Sequence, residues 1–323
     1  MKVAFIAAEC TPLAKVGGLG DVIGALPKAL ANLGVETTIV LPYYKIIEKI
    51  KPARTDTTIE TVDGESKIVW AVFETVLPGT DVRVLLLRHP DGWFKEVYGS
   101  PDDAFRFAAF SAAAAKLAQK LKVDLVHCHD WHTALASAVL KEDKIPTVLT
   151  IHNVHPGTEM DHIDVAELAE LAINTANFVS TKDNHPGFDL LAQGVAAANF
   201  ITTVSPTHAK EIETEEFAGS LAKLFRQRSK DLVGIVNGID VEVFNPTTDP
   251  DIAENYSADD LSGKRACRQE LERAVGWENS EASILGVVTR LTNQKGLDLI
   301  ASILPDLAAA GTRVIILGTG EEA

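Results

Sequence analysis

Four stretches of this sequence bring together side chains that can do chemistry. The first runs from Lys15 to Asp21, "KVGGLGD", and sets a lysine ahead of Gly17, Gly18 and Gly20. Glycines let backbone N–H groups approach a ligand with no Cβ in the way, and a helix N-terminus adds partial positive charge. With the Lys15 ammonium beside them, these residues can cradle a phosphate. Equally, they can form a tight strand-to-helix turn with a solvated lysine. Two phosphate motifs are excluded. A Walker A loop carries Lys-Ser/Thr after its last glycine, where this chain has Asp21. A dinucleotide fingerprint needs an acid closing the second strand, where this chain has Val40-Leu41-Pro42.

The second stretch is "VHCHDWHTAL". His127 and His129 share one face of a strand by its two-residue period, and Asp130 and His132 follow at the strand's carboxyl end. Three histidines and an acid invite a zinc reading, but strand and helix would have to turn a corner to converge them. A core histidine plus groups facing a cleft fits the spacing better. The third stretch, "TIHN", sets His152 and Asn153 at the end of the next strand. Open α/β sheets bind ligands at the carboxyl ends of their strands, so these ends point to one site. The fourth, "TRLTNQKG", places Arg290 and Lys295 after a strand, with Gly296 at the mouth of a helix. Cations there oppose the helix dipole unless an anion offsets them, and a guanidinium with an ammonium can clamp a diphosphate.

The elements that carry these residues follow from hydrophobic pattern. "VAFIAA" (3–8) reads as a strand buried on both faces, Asp21 to Leu33 as a helix closed by Gly34, and "VETTIVLP" as a second strand. That order is a parallel βαβ unit. Residues 56–88 hold β-rich runs expected to extend the same sheet. Asp102 to Leu121 reads as an Ala/Phe-rich helix, followed by a strand and helix over 123–140, the strand 145–152, and then a helix at 188–199, the strand 200–205 and a helix from 206. Residues 156–187, including the turn-like "NHPG", show only weak pattern. A helix from about 258, the strand "ASILGVVTR", a helix from 295 and the strand "TRVIILGTG" end the chain. The expected organisation is an N-terminal doubly wound α/β domain over 1–240, a polar connector over 241–278, and the start of a second α/β domain over 279–323.

Length and composition narrow the function classes. The 323 residues exceed one average core. Lys and Arg number 30 against 45 Asp and Glu, a formal charge of −15. An acidic surface repels nucleic-acid backbones and anionic lipid, so neither nucleic acid nor a membrane is an expected partner. The cysteines Cys10, Cys128 and Cys267 form no C-x-x-C pair, so neither a disulfide framework nor a thiolate metal site is indicated. No apolar run reaches membrane-spanning or signal-peptide length, which reads as cytoplasmic.

Lys15 with "GGLGDV", then "HDWH", "HN", "TVSPTHAKEI", "GIVNGID" and "TRLTNQKGLDLI" occur in an order that resembles bacterial glycogen synthases and plant starch synthases. The resemblance implies two Rossmann-like domains facing across a cleft, the glycosyltransferase B-type arrangement, here with the second domain incomplete. It implies a retaining transferase that moves glucose from ADP-glucose to the nonreducing end of an α-1,4-glucan. By that likeness Lys15, Gly17 and Gly18 contact the donor, and Arg290 and Lys295 hold its diphosphate. His152 lies against the transferred glucose beside Asn153, and Asp130 and Asn237 line the sugar cleft. No metal or other cofactor is expected, and Asp249-Pro250-Asp251 reads as a turn in the connector. The chain departs from the family in the compressed "VHPG" after Asn153. It also stops at Ala323, ahead of the family's Glu-x-x-Gly-Leu segment. The competing readings are a catalytically incomplete remnant that binds nucleotide or glucan, and a related transferase with another nucleotide-sugar donor.

Overall fold

An apolar run opens the chain, and its burial puts the first strand in the middle of a sheet. In β1 (Lys2–Ile6) every residue after Lys2 is buried. This is the pattern of a parallel strand covered on both faces. The structure, a computed structural model, describes residues 1–154, 160–181 and 186–320. Gly17 caps α1 (Gly18–Asn32), which returns the chain to β2 (Glu36–Pro42), parallel to β1. The helix therefore starts three residues before Asp21, and Gly18 and Gly20 lie in its first turn, not in a loop. Small residues are needed there because that turn passes close over the β1 exit. A Cβ on Gly20 would sit 3.1 Å from Glu9 Oε2, and one on Gly24 would sit 2.7 Å from the Thr11 carbonyl oxygen.

The next three strands are β3 (Ala53–Asp63), β4 (Ser66–Val76) and β5 (Arg83–Arg88). β5 pairs parallel with β2, while β4 runs antiparallel to both β3 and β5, so the 56–88 region does extend the sheet. A long helix, α2 (Asp103–Leu121), then carries the chain back across to β6 (Leu125–His129), α3 (Trp131–Lys141) and β7 (Thr147–Ile151). Alanines along α2 keep its buried face narrow enough for α3 to pack against it. The region left without clear pattern holds two three-residue strands, β8 (His162–Asp164) and β9 (Gly187–Asp189), separated in sequence by α4 (Val165–Glu170). They form a small antiparallel pair of their own. The "NHPG" turn lies partly outside the described residues.

The unit closes with α5 (Leu190–Ala197), β10 (Phe200–Thr203), α6 (Pro206–Glu211), α7 (Glu215–Ala218), α8 (Ala222–Gln227) and β11 (Leu232–Gly234). The nine-stranded sheet has the order β11-β10-β7-β6-β1-β2-β5-β4-β3. β1 pairs parallel with β2 on one side and with β6 on the other. The chain leaves β1 in one direction, crosses over through α2, and then builds outward from β6 in the other. The reversal between β1 and β6 is the topological switch point of a doubly wound sheet. The crevice beyond the carboxyl ends of the strands opens there.

The chain divides into two compact units, Met1–Asp240 and Val241–Ala323. The second contains α9 (Ser262–Ala274), β12 (Ile284–Val288), α10 (Leu297–Ala309) and β13 (Arg313–Leu317). β12 and β13 form a parallel pair, and no residue of β12, β13 or α10 is buried. Its best-packed polar group is Glu272, 1% exposed, which takes charge-assisted hydrogen bonds from Arg268 and Arg313 at 3.0 and 3.3 Å.

Candidate active site

The exits of β1, β6 and β7 lie side by side in the sheet, and each is followed by a polar side chain, Glu9, Asp130 and His152 in turn. After β6 comes Asp130, 7% exposed, with φ 56° and ψ −178°. That region is essentially glycine's, so a non-glycine residue here is held by its surroundings at a cost in strain. The hold is visible. The Asp130 N–H donates to the Thr150 carbonyl at 2.9 Å, and its Oδ1 accepts the His152 backbone N–H at 2.6 Å and that of Asn153 at 3.4 Å. Asp130 thus ties the end of β6 to the end of β7 and fixes the backbone from which the His152 side chain projects.

The His152 ring is fixed from the other side by His129, whose Nδ1 lies 3.0 Å from His152 Nε2. His129 is fully buried, and burial together with the neighbouring imidazoles holds it well below the usual histidine range. Burial also lowers His152 to about 4, with the Glu9 carboxylate pulling the opposite way. Both rings are therefore neutral near pH 7, and exactly one of the two facing nitrogens carries the shared proton. His127 does share a face with His129: their rings lie 4.2 Å apart at the centroids, over Phe5. Its Nε2 lies 2.6 Å from Thr150 Oγ1, and Thr150 Oγ1 lies 2.6 Å from Thr202 Oγ1, a polar ladder across β6, β7 and β10. Burial pushes His127 down to about 3. His132, in the first turn of α3, is buried, with its ring stacked on Trp131 and on Tyr98. Among the described residues, no three His, Cys, Asp or Glu side chains are arranged to hold a metal ion.

At the β1 exit, sequence reasoning singled out Lys15 and the glycines and passed over Glu9. Glu9 is 3% exposed. Its Oε2 accepts the Val16 and Gly17 N–H groups at 2.7 Å each, and its Oε1 accepts the Tyr98 hydroxyl at 2.6 Å. Lys15 is half exposed, and its ammonium rests 2.6 Å from Asp21 Oδ1, which also accepts the Thr11 hydroxyl at 3.2 Å. The signal for Glu9 is an acid directly after six apolar residues, a placement that demands donors. Tyr98 gives no such signal, lying 89 residues away in an irregular segment.

The remaining predicted residues belong to other elements. Asn237 is exposed, three residues past β11 at the edge of the sheet. Arg290 and Lys295 belong to the second unit. Arg290 is exposed just after β12, and Lys295 is exposed in a short turn before Gly296, whose φ of 65° caps α10. The shortened loop after Asn153 runs into residues 155–159, outside the described residues.

Three comparisons bear on this geometry. The chain matches the family described as "Starch synthase catalytic domain" over residues 2–227. It is 37% identical over 345 residues to a glycogen synthase of Thermotoga petrophila, an alignment covering all of this chain and 70% of the relative. It is equally 37% identical over 329 residues to glycogen synthase 1 of Synechocystis sp., covering 99% of this chain and 65% of that one. Among solved structures, the catalytic domain of starch synthase IV from Arabidopsis thaliana bound to ADP and acarbose superposes with a TM-score of 0.90. The superposition has 29% identity and covers 99% of this chain and 69% of that chain.

Proposed function

We propose the function from a plain premise: this chain belongs to the starch synthase catalytic domain family. It is a glycosyltransferase that builds glucan, and its reaction is transfer of glucose from a nucleotide-sugar donor to an α-1,4-glucan. The finer reading takes ADP-glucose as the donor, the nonreducing end of the glucan as the acceptor, and retention at the transferred carbon. The observation that carries it is the family match over 2–227, on a sheet where Asp130 and the His152 backbone are tied together at the exits of β6 and β7. A binding remnant without catalysis is not favoured by these relatives.

In this reading Lys15, Gly17 and Gly18 meet the donor at the start of α1, Gly17 without its N–H, which Glu9 already holds. When the nucleoside diphosphate leaves, negative charge grows on its phosphate while the sugar becomes oxocarbenium-like. Arg290 and Lys295 are the cations assigned to that growing charge, where preorganised donors are worth most. His152 lies against the transferred glucose. Its ring is neutral with Nε2 turned to His129, so Nδ1 is the nitrogen that can meet a sugar hydroxyl. Asp130, Asn153 and Asn237 bound the sugar side. The test is glucose incorporation into glycogen with labelled ADP-glucose and UDP-glucose side by side. Efficient transfer from ADP-glucose supports the reading, and preference for UDP-glucose overturns the donor assignment.

A further inference from the structure

Glu9 takes no part in the reading above, yet it occupies the most constrained position in the crevice. A carboxylate buried behind β1 costs several kcal/mol unless donors satisfy it. Here three donors do, and they come from two separate parts of the chain. Val16 and Gly17 are the two residues directly ahead of α1, and both donate to one oxygen of Glu9. Tyr98 donates to the other oxygen. Tyr98 is itself placed by Arg106, which is 4% exposed, donates to the carbonyls of Glu96 and Val97 at 3.0 and 2.7 Å, and pairs with Asp103 at 2.6 Å. The Tyr98 ring stacks on His132 with centroids 4.8 Å apart. Gly20 in the first turn of α1 lies so close to Glu9 Oε2 that a Cβ there would approach to 3.1 Å.

We propose that Glu9 is a positioning residue for the glycosyl transfer: an internal carboxylate that holds the Val16 and Gly17 amides and thereby fixes where Lys15 and the N-terminus of α1 are presented. The proposal rests on the transferase reading for its kinetic consequence, but not for its structural one. An anion on these two amides also means that they are already occupied. The turn's shape is set from within the protein before any donor arrives, and the donor need not organise it. Preorganisation of this kind acts on rate, because a displacement of about 1 Å in a positioned group can cost a hundredfold.

The test compares Glu9→Gln with Glu9→Ala in the whole chain. A glutamine oxygen retains two lone pairs for the Val16 and Gly17 N–H groups, and its amide can donate to Tyr98, whereas alanine offers nothing. Amide-resolved hydrogen exchange should show Val16 and Gly17 exchanging about ten- to a hundredfold faster in Glu9→Ala, the loss of hydrogen bonds to a charged group. In Glu9→Gln they should stay within a few-fold of wild type. Steady-state kinetics should follow: kcat falls in Glu9→Ala with little change in glucan KM, and Glu9→Gln restores most of it. Tyr98→Phe removes one hydroxyl and keeps the ring, so it decides the matter if Glu9→Ala does not fold; faster exchange confined to Val16 and Gly17 is expected. Unchanged exchange at these amides in Glu9→Ala, or in Tyr98→Phe where alanine fails to fold, overturns the proposal. So does a Glu9→Gln variant as impaired as the alanine, which would make the charge and not the geometry the active property. If the wild-type protein transferred no glucose, the transferase reading would fail while the exchange measurement still judged Glu9.

Discussion

Replacing Asp130 should reverse the usual order of alanine and glycine. Glycine in a regular element is ordinarily less stable than alanine by about 0.5–1 kcal/mol, because it loses more backbone entropy on folding. At φ 56° and ψ −178°, however, any residue with a Cβ is strained by about 1–3 kcal/mol. Both variants lose the carboxylate that accepts the His152 and Asn153 N–H groups, so that loss, about 1.5–3 kcal/mol for a charged acceptor, cancels between them. Alanine keeps the strain and glycine relieves it. Subtracting glycine's entropic cost leaves Asp130→Gly more stable than Asp130→Ala by up to about 2.5 kcal/mol. Asp130→Asn keeps an acceptor oxygen and carries the same backbone strain as wild type and alanine, so it should lie between wild type and Asp130→Ala. Urea denaturation at one pH, with midpoints compared at equal slope, measures all four proteins. Asp130→Ala at or above Asp130→Gly would refute the argument, since it would mean that this backbone is not strained or that the strain is not released.

Three further outcomes follow from the same geometry. Lys15 is half exposed and its pair with Asp21 is worth less than about 1 kcal/mol, so Lys15→Ala should barely change the melting temperature. It should nevertheless cut kcat/KM for ADP-glucose about ten- to a hundredfold, and unchanged donor kinetics would return Lys15 to the role of a solvated loop residue. Arg290→Ala and Lys295→Ala alter exposed side chains, so they should leave stability within about 0.5 kcal/mol while lowering kcat more than they raise glucan KM. A defect confined to glucan KM would remove them from the diphosphate. Imidazole NMR should show His152 neutral down to about pH 4, and titration near 6.5 would contradict its burial. Its folded value lies below the unfolded one, so its contribution to stability is complete above pH 6.5 and is lost as pH falls toward 4. Asp161, pushed up to about 6 by burial, has the opposite sign: it favours the folded state as pH falls from above 6 toward 3.8, partly offsetting His152.

What could be read from the sequence was what repeats locally. β1, β2, β6 and β7 are runs of buried apolar residues, α2 shows helical spacing, and the strand-end positions of Asp130 and His152 follow from them. Periodicity needs length, so the three-residue strands β8, β9 and β11 carried too few residues to declare themselves. The start of α1 was misjudged because glycines read as loop. Here Gly18 and Gly20 lie within the helix, and Gly20 and Gly24 are needed because Glu9 and Thr11 leave no room for a Cβ. The contacts that define the site are long-range: Tyr98 to Glu9, His129 to His152, Asp130 to the His152 amide. No local spacing encodes them. They appear only once the sheet order brings β1, β6 and β7 together.

In the proposed function, the crevice at the β1–β6 switch point transfers glucose to an α-1,4-glucan. The most direct measurement supplies labelled ADP-glucose and glycogen to a protein carrying this sequence, alongside its His152→Ala variant. The labelled product is then digested with an exo-acting enzyme specific for α-1,4 linkages at nonreducing ends. Label should enter the glucan and be released by that enzyme, and incorporation should fall at least about a hundredfold in the variant, as expected on removal of a group that touches the reacting sugar. Label that resists the enzyme, or incorporation undiminished in His152→Ala, would contradict the proposed function.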